Sequence, residues 1–124
     1  DVSEIKAPIL KVTMNWQNFD ETQFYDAARQ TLGDTVHVTE TGTGAIDIVP
    51  ADVNKAIGLK TLADNMGISM ANVAAFGDGA NDFEMLTAVG QPFIMPGASI
   101  TGPFNKVTAD NNHAGVLKTI LTII

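Results

Sequence analysis

Short apolar runs alternate with helix-like stripes after Pro50, and this alternation constrains the fold more than any other feature of the sequence. The runs Val73–Phe76 and Pro92–Met95 each stop at a glycine or a proline, which is typical of buried parallel strands. Apolar residues at helical spacing precede, separate and follow these runs, so residues 51–124 predict the order α-β-α-β-α. Because parallel strands need helical crossovers, the sequence predicts an α/β fold built on a parallel sheet with helices on its faces.

The first 49 residues have a different pattern, which predicts the order β-α-β-β. The predicted elements are a strand over 9–14, a helix from about Glu21 to Leu32 that stops at Gly33, strands over 35–40 and 45–49, and a glycine-rich hairpin turn over 41–44. The pattern changes near residues 49–52. We therefore expect two parts, residues 1–49 and residues 50–124.

Polar residues at the helix ends predict caps. Asp20, with Gln23 three residues later, resembles a capping box before the first helix. Asp52 is the candidate cap of the second helix, and Asn111 and Asn112 are the candidate caps of the last. The second helix is predicted to bury an apolar stripe made of Ala56, Leu59, Ala63 and Met66.

Charge and composition exclude several classes of protein. The 124 residues carry 14 acidic and 7 basic side chains, and the net charge of −7 argues against general affinity for nucleic acid or for an anionic membrane surface. The sequence has no Cys, which excludes disulfides and thiolate metal sites and leads us to expect a cytoplasmic location. No apolar run approaches the roughly 20 residues that a membrane helix needs.

The segment Gly77-Asp78-Gly79-Ala80-Asn81-Asp82 is where the sequence indicates chemistry. It joins a buried strand to a helix, and ligands of open α/β sheets bind at the carboxyl ends of strands. Asp78 and Asp82 are carboxylates held close by a tight turn, so a cation beside them would relieve their repulsion. Oxygen ligands without Cys or His favour Mg²⁺, and the glycines are expected to allow the sharp turn and to leave room for a ligand. The structural alternative is a common Gly-Asp-Gly turn in which Asp82 only caps the helix.

Lys55 is the second candidate residue. It lies in the first turn of the predicted second helix, where the helix dipole disfavours a cation. This placement is explained if Lys55 faces an anion that also approaches the helix N-terminus. The alternative is a solvated lysine at a helix end.

These motifs resemble the haloacid dehalogenase superfamily, and more narrowly its Cof-type sugar-phosphate phosphatases. The resemblance rests on the run Ile48–Lys55, on the segment Gly77–Leu86, and on a tail with Met95-Pro96-Gly97-Ala98, Val107-Thr108, Asn111-Asn112 and Gly115-Val116 in the family's usual order. It implies that residues 50–124 are the C-terminal part of a Rossmann-type core. Residues 1–49 are similar to the closing β-α-β-β part of the family's α/β cap domain.

The resemblance also implies roles for four residues. Asp78 would be the acidic Mg²⁺ ligand, and Asp82 would belong to the metal site and the catalytic residues by acting through water or through Lys55. Asn81 would help to bind the substrate phosphate. Lys55 would neutralise the charge of the phosphate and of the nucleophile. The implied substrate is a small phosphorylated metabolite, either a sugar phosphate or a phosphorylated cofactor.

The family's nucleophile is an Asp in an Asp-x-Asp-Gly-Thr motif after the first core strand, and the second Asp of that motif is the general acid and base. None of the ten Asp residues here has another Asp two positions later, and the family's second-motif Ser or Thr has no match. Gly97 and Pro103 also replace the family's usual Asn and Lys. We therefore expect this chain to be the C-terminal part of a longer phosphatase, to bind Mg²⁺ weakly and not to turn over alone.

The expected macromolecular partners are the missing N-terminal half or a second copy, either of which would cover an exposed sheet edge. Two other functions stay open at this point. One is the phosphorylation domain of a P-type ion pump, which shares Gly-Asp-Gly-x-Asn-Asp but is disfavoured by Glu84-Met85-Leu86 and by the lack of a following membrane helix. The other is a non-catalytic binding or regulatory module that retains half of a phosphatase fold.

Overall fold

A computed structural model describes residues 4, 6–15, 21–40 and 45–124. The predicted cap at Asp20 and the predicted hairpin turn over 41–44 lie outside the described residues. The chain divides into two compact units, residues 1–53 and residues 54–124. Within the described ranges, every helix is too short or too polar to cross a bilayer.

The first unit is a three-stranded antiparallel sheet with one helix. It contains strand β1 Val12–Asn15, helix α1 Glu21–Leu32, strand β2 Val36–Glu40 and strand β3 Ala45–Pro50. Strand β3 lies in the middle and pairs antiparallel with both neighbours, in the order β1-β3-β2. Gly33 directly follows α1 with φ +57°, the left-handed conformation that glycine supplies at helix ends. The β-α-β-β order predicted for this part is therefore confirmed.

Side-chain alternation gives this sheet one apolar and one polar face. Val38, Ile46 and Ile48 point to the same side and pack with Ala28 of α1 in a single apolar cluster. On the opposite face, the Asp47 carboxylate accepts a hydrogen bond from the Thr13 hydroxyl at 2.7 Å and another from Lys11 Nζ at 3.1 Å. The Thr13 hydrogen bond is the main cause that lowers the pKa of Asp47, with Lys11 adding to it against the opposing effect of burial.

The second unit is a parallel sheet with helices. It contains helix α2 Lys55–Asn65, strand β4 Ala74–Gly77, helix α3 Phe83–Ala88, strand β5 Gln91–Ile94, strand β6 Asn105–Lys106 and helix α4 Gly115–Ile123. The strands are parallel and lie in the order β4-β5-β6. The predicted α/β class with a parallel sheet is confirmed. Strand β6 was not predicted, because two residues are too short to show a periodic pattern.

Strand β4 packs an apolar side chain on each of its faces, which explains its continuous apolar run, although Ala74 at its start is exposed. Ala75 packs on one side with Leu86 of α3, which is fully buried. Phe76 points to the other side and stacks on Phe93 of β5, with ring centroids 5.0 Å apart and an interplanar angle of 15°. A strand buried in this way has no polar face, so its sequence does not alternate.

Two predictions about α2 are wrong. The helix is capped by Asn54 rather than by Asp52, since Asn54 Oδ1 accepts a hydrogen bond from the Ile57 N–H at 2.9 Å. Asp52 instead lies in the turn that precedes the cap. Ala63 is buried as predicted, but the Met66 side chain is 63% exposed and is not part of the buried core.

The predicted caps of the last helix are also wrong. Asn111 and Asn112 lie in a 3-10 turn that ends at His113, and Asp110 accepts the hydrogen bond from the His113 N–H at 3.0 Å. Helix α4 begins only after Ala114, which has the left-handed value φ +55°. Ala114 therefore holds the N-cap position of α4, and no side chain makes a cap hydrogen bond there.

Candidate active site

The predicted site lies where strand β4 ends. The Gly77 carbonyl accepts a hydrogen bond from the Met95 N–H at 3.0 Å, which fixes the end of β4 against the neighbouring strand. The chain then turns through Asp78 and Gly79 into a 3-10 turn over Ala80–Asp82, and α3 follows directly. The motif therefore occupies the carboxyl edge of a parallel sheet, which is the position that the sequence predicts.

Asp82 is the structural centre of this turn. It is only 5% exposed, and its Oδ2 accepts hydrogen bonds from the Asp78 N–H at 2.9 Å and from the Gly79 N–H at 3.1 Å. Its own N–H donates to the Gly79 carbonyl at 2.9 Å. Asp82 does not cap α3 with its side chain, as the structural alternative had it. Its carboxylate instead satisfies the Gly79 N–H at the start of the 3-10 turn and the Asp78 N–H before it.

Gly77 leaves room for the Asp82 side chain rather than for an unusual backbone conformation. A Cβ atom on Gly77 would lie 2.5 Å from Asp82 Cβ and 2.9 Å from Asp82 Cγ, well inside van der Waals contact. A Cβ atom on Gly79 would lie 3.0 Å from Asn81 Oδ1. Neither glycine is among the described residues with positive φ. The glycines therefore allow the sharp turn through the space they leave and not through a positive φ.

Lys55 meets Asp82 across 27 positions of sequence. Lys55 is the first residue of α2, and its Nζ donates a hydrogen bond to Asp82 Oδ1. Burial opposes ionisation of Asp82 and is the largest single influence on it. The hydrogen bonds from Lys55 and from the Asp78 and Gly79 N–H groups together outweigh burial and lower the pKa of Asp82. Asp82 is therefore held as a carboxylate, and the alternative of a freely solvated Lys55 is excluded.

The Lys55 side chain remains partly accessible to solvent although it pairs with Asp82. It is 49% exposed, whereas the Asp82 side chain is 7% exposed. An ammonium group has three donors, so the contact with Asp82 leaves Lys55 able to donate to another anion. Asp82 thus orients a lysine that keeps accessible donors for a second partner.

Asp78 and Asn81 complete the set of predicted residues. The Asp78 side chain is exposed, and its main-chain carbonyl accepts hydrogen bonds from the Ser99 N–H at 2.8 Å and from the Ser99 hydroxyl at 3.2 Å. Asn81 is half-buried in the 3-10 turn between Asp78 and Asp82. Lys55, Asp78, Asn81 and Asp82 therefore belong to one compact turn-and-helix arrangement.

Comparison with known proteins decides the family. The sequence profile described as haloacid dehalogenase-like hydrolase matches residues 2–120. This chain belongs to the haloacid dehalogenase-like hydrolases. The match covers nearly the whole chain, including both compact units.

Several relatives of this haloacid dehalogenase-like chain are phosphatases. The 5-amino-6-(5-phospho-D-ribitylamino)uracil phosphatase YbjI of Escherichia coli strain K12 is 37% identical over 100 residues, which cover 79% of this chain and 37% of that protein. An HMP-PP phosphatase of Escherichia coli strain K12 is 37% identical over 78 residues, which cover 63% of this chain and 27% of that protein.

Solved structures share the fold. The crystal structure of SMU.1108c from Streptococcus mutans UA159 matches with a TM-score of 0.85 and 25% identity, covering 99% of this chain and 47% of that one. The Cof-type resemblance drawn from the motifs is confirmed by these comparisons. The chain spans less than half the length of each of these three proteins.

The carboxylates of this haloacid dehalogenase-like chain fit part of a Mg²⁺ site. Asp78 presents an exposed carboxylate at the edge of the sheet, and Mg²⁺ needs only one or two protein carboxylates beside water and phosphate oxygens. Both oxygens of Asp82 already accept hydrogen bonds. Within the described ranges, three or more His, Cys, Asp or Glu side chains do not gather in one place that would hold a metal. The donor set therefore fits a metal held mainly through Asp78.

Sequence reasoning missed Ser99. This residue lies in the loop after β5. Its two hydrogen bonds to the Asp78 carbonyl fix the main chain of Asp78 and so help to position the Asp78 carboxylate. Nothing in the local sequence marks this serine, because its partner lies 21 positions earlier. Only the parallel pairing of β4 with β5 brings the two loops together.

Proposed function

We propose that this chain is the C-terminal part of a Mg²⁺-dependent phosphatase that hydrolyses small phosphomonoesters through an aspartyl-phosphate. The observation that carries the proposal is the Lys55–Asp82 pair, in which Lys55 of α2 donates to a carboxylate that also holds the backbone of the exposed Asp78. This arrangement concentrates one oriented cation and one accessible carboxylate at a sheet edge. The family match and the phosphatase relatives support the same reaction class.

Lys55 and Asn81 would recognise the transferring phosphoryl group. The Lys55 ammonium is fixed by Asp82 and keeps donors for phosphate oxygens, so little reorganisation is needed when negative charge moves during the reaction. The Asn81 amide adds a neutral donor from the adjacent turn. In this proposal Asp82 is a positioning residue, because it acts through Lys55 and through the backbone of Asp78 and Gly79.

Asp78 would hold the metal. Mg²⁺ would neutralise phosphate charge and orient the phosphoryl group, which is the chemistry that a metal supplies in phosphoryl transfer. The hydrogen bonds from Ser99 to the Asp78 carbonyl keep this residue in place. Asp82 would support the metal site through Lys55 or water, since hydrogen bonds already engage both of its oxygens.

The nucleophile would lie outside this chain. An Asp carboxylate of the remaining polypeptide would attack phosphorus, and the ester oxygen would leave as an alcohol after receiving a proton from a general acid. Water would then attack the aspartyl-phosphate, releasing inorganic phosphate and regenerating the carboxylate. The isolated chain would bind phosphate and metal weakly and would not turn over.

The substrate class would be sugar phosphates or phosphorylated cofactors. The name of YbjI specifies one phosphorylated ribitylaminouracil as its substrate, and the second relative is an HMP-PP phosphatase. The macromolecular partner would be the N-terminal part of the same protein or, failing that, a second copy of this chain. Nucleic acid and anionic membranes are not expected partners of a chain with net charge −7.

The test is hydrolysis of p-nitrophenyl phosphate with and without Mg²⁺ by this chain and by the full-length protein from its native reading frame. We expect Mg²⁺-dependent turnover only in the full-length protein. There, Asp78→Asn and Lys55→Gln should each lower kcat by at least about 10²-fold, the size of effect that a single electrostatic group has. Lys60→Gln is the matched control, because Lys60 is an exposed lysine of the same helix that pairs with Asp64.

Three results would contradict the proposal. Turnover by the isolated chain that Asp78→Asn abolishes would show that the nucleophile is not elsewhere. Full activity of the Lys55→Gln protein would remove the proposed phosphate-binding role. If the folded full-length protein hydrolyses no p-nitrophenyl phosphate with or without Mg²⁺, the result would favour a non-catalytic binding or regulatory function.

A further inference from the structure

A cleft lies along the loop that follows β5. It has a volume of about 430 Å³, and its walls come from residues 94–107 except 99, 103 and 105. Its size is within the range of roughly 300–1,000 Å³ that is typical of small-molecule sites. Lys55, Asp78, Asn81 and Asp82 are not among its lining residues, so the cleft differs from the phosphate site proposed above.

Backbone hydrogen bonds hold the walls of this cleft in place. The Ala98 N–H donates to the Met95 carbonyl at 3.2 Å, which closes a turn at Gly97, where φ is +79°. The Val107 N–H donates to the Ile94 carbonyl at 3.0 Å, so the two ends of the loop are joined across β5 and β6. Ser99 fixes the middle of the loop to the Asp78 carbonyl. The cleft is therefore formed before any ligand arrives, which lowers the cost of binding.

The walls of the cleft combine polar and apolar surface, and the lining residues include one aromatic side chain. Phe104 is half-buried and meets Phe83 edge to face, with ring centroids 5.9 Å apart and an interplanar angle of 73°. This contact holds the ring in one orientation. A flat apolar group is the ligand shape that such a wall favours.

Lys106 gives the cleft its charge. It is the one charged residue among the lining residues, which include no Asp or Glu. Lys11, Lys55 and Lys60 each pair with an aspartate, whereas Lys106 forms no ion pair within the described part of the chain. In a protein of net charge −7, an unpaired ammonium at the border of this cleft is a local attraction for an anion.

We infer that this cleft binds a small organic anion with a flat apolar body, whose charged group pairs with Lys106 and whose body lies against the apolar wall at Phe104. The inference does not depend on the phosphatase reaction, because Lys55, Asp78, Asn81 and Asp82 do not line the cleft, and the one shared residue, Ser99, serves only to fix the loop. It adds a second small-molecule site to the same unit of the fold.

The probe for the test is 8-anilinonaphthalene-1-sulfonate, a flat aromatic sulfonate whose fluorescence rises in apolar surroundings. Its affinity is measured by fluorescence titration of the full chain, and its position by changes in the backbone amide NMR signals. We expect saturable binding with signal changes concentrated in residues 94–107. Lys106→Gln should weaken binding by about tenfold, and Lys106→Arg should keep it within about twofold. N-phenyl-1-naphthylamine, the neutral analogue, should bind the wild type and Lys106→Gln equally.

Two control variants distinguish the cleft from other surfaces. Lys118→Gln removes an exposed lysine of α4, and Leu121→Gln removes a leucine of α4 that is 65% exposed. Neither change should alter the affinity for the sulfonate. Three results would each overturn the inference. The first is equal affinity of the wild type and Lys106→Gln for the sulfonate. The others are an equal loss of affinity in Lys118→Gln or Leu121→Gln, and NMR changes outside residues 94–107. Circular dichroism of each variant confirms that the fold is retained.

Discussion

Replacing Gly77 by alanine tests the geometry on which the candidate site depends. The added Cβ would lie 2.5 Å from Asp82 Cβ, 2.9 Å from Cγ and 3.0 Å from Oδ2. Carbon atoms in contact are about 3.5–4.0 Å apart, so the Asp82 side chain would have to retreat by roughly 1 Å. Hydrogen bonds of 2.9 and 3.1 Å from the Asp78 and Gly79 N–H groups would then exceed normal hydrogen-bond length.

The expected cost follows from those lost contacts. Each hydrogen bond to a charged group contributes about 1.5–3 kcal/mol, and water can replace part of this because the turn lies near the surface. A net loss of about 2–3 kcal/mol in the free energy of unfolding is expected. For a unit of this size, that corresponds to a fall in Tm of roughly 10–20 °C.

The assay is urea unfolding followed by circular dichroism, with amide hydrogen exchange to assign the change to residues 54–124. Gly58→Ala is the matched control, because Gly58 lies within α2 and a Cβ there would meet nothing within 4 Å. That control should be stabilised by about 0.5–1 kcal/mol, since alanine is the better helix former. If Gly77→Ala unfolds at the same urea concentration as Gly58→Ala, Asp82 does not occupy the space beside Gly77 and the site geometry is refuted.

Two further predictions concern the second unit. The lowered pKa of Asp82 means that its contribution to stability is complete above the unfolded value of about 3.9 and is lost as the pH falls through the folded value. The difference in unfolding free energy between wild type and Asp82→Asn, measured by urea titration, should therefore be large at pH 7 and shrink below pH 4; a difference that is constant with pH would contradict the ion pair. Gly90→Ala would place a Cβ 1.9 Å from the Ala71 carbonyl oxygen, so it should destabilise by at least about 3 kcal/mol or prevent folding, which thermal melting measures. An unchanged Tm would show that the loop before β4 does not approach Gly90 this closely.

Local sequence determined those elements that form from near neighbours. The apolar spacing before Gly33 defines α1 within the bounds observed, because helix periodicity and a left-handed glycine stop are encoded within a few residues. The continuous apolar run over Val73–Phe76 identified a strand with apolar contacts on both faces, and its junction with Gly77–Asp82 located the candidate site. The same motif indicated the family whose sequence profile matches residues 2–120.

Local sequence was not sufficient where several residues compete for one role. Asp52 and Asn54 are both good helix caps. Which of them caps α2 depends on where the turn after Pro50 ends and the helix begins. The same ambiguity affected the last helix, where the left-handed backbone at Ala114 separates Asn111 and Asn112 from α4. A cap is decided by geometry over one turn, which composition alone does not fix.

The contacts that make the site were decided only by the tertiary structure. Lys55 reaches Asp82 across 27 positions, and Ser99 reaches the Asp78 carbonyl across 21. The short strand β6 forms only because β5 offers it a partner, with Ile94 opposite Lys106. Spacing along the chain encodes helices, strands and the Gly-Asp-Gly turn, since these depend on interactions within a few residues. The partner of a side chain depends on which strands lie side by side, and that order is set by packing of the whole unit.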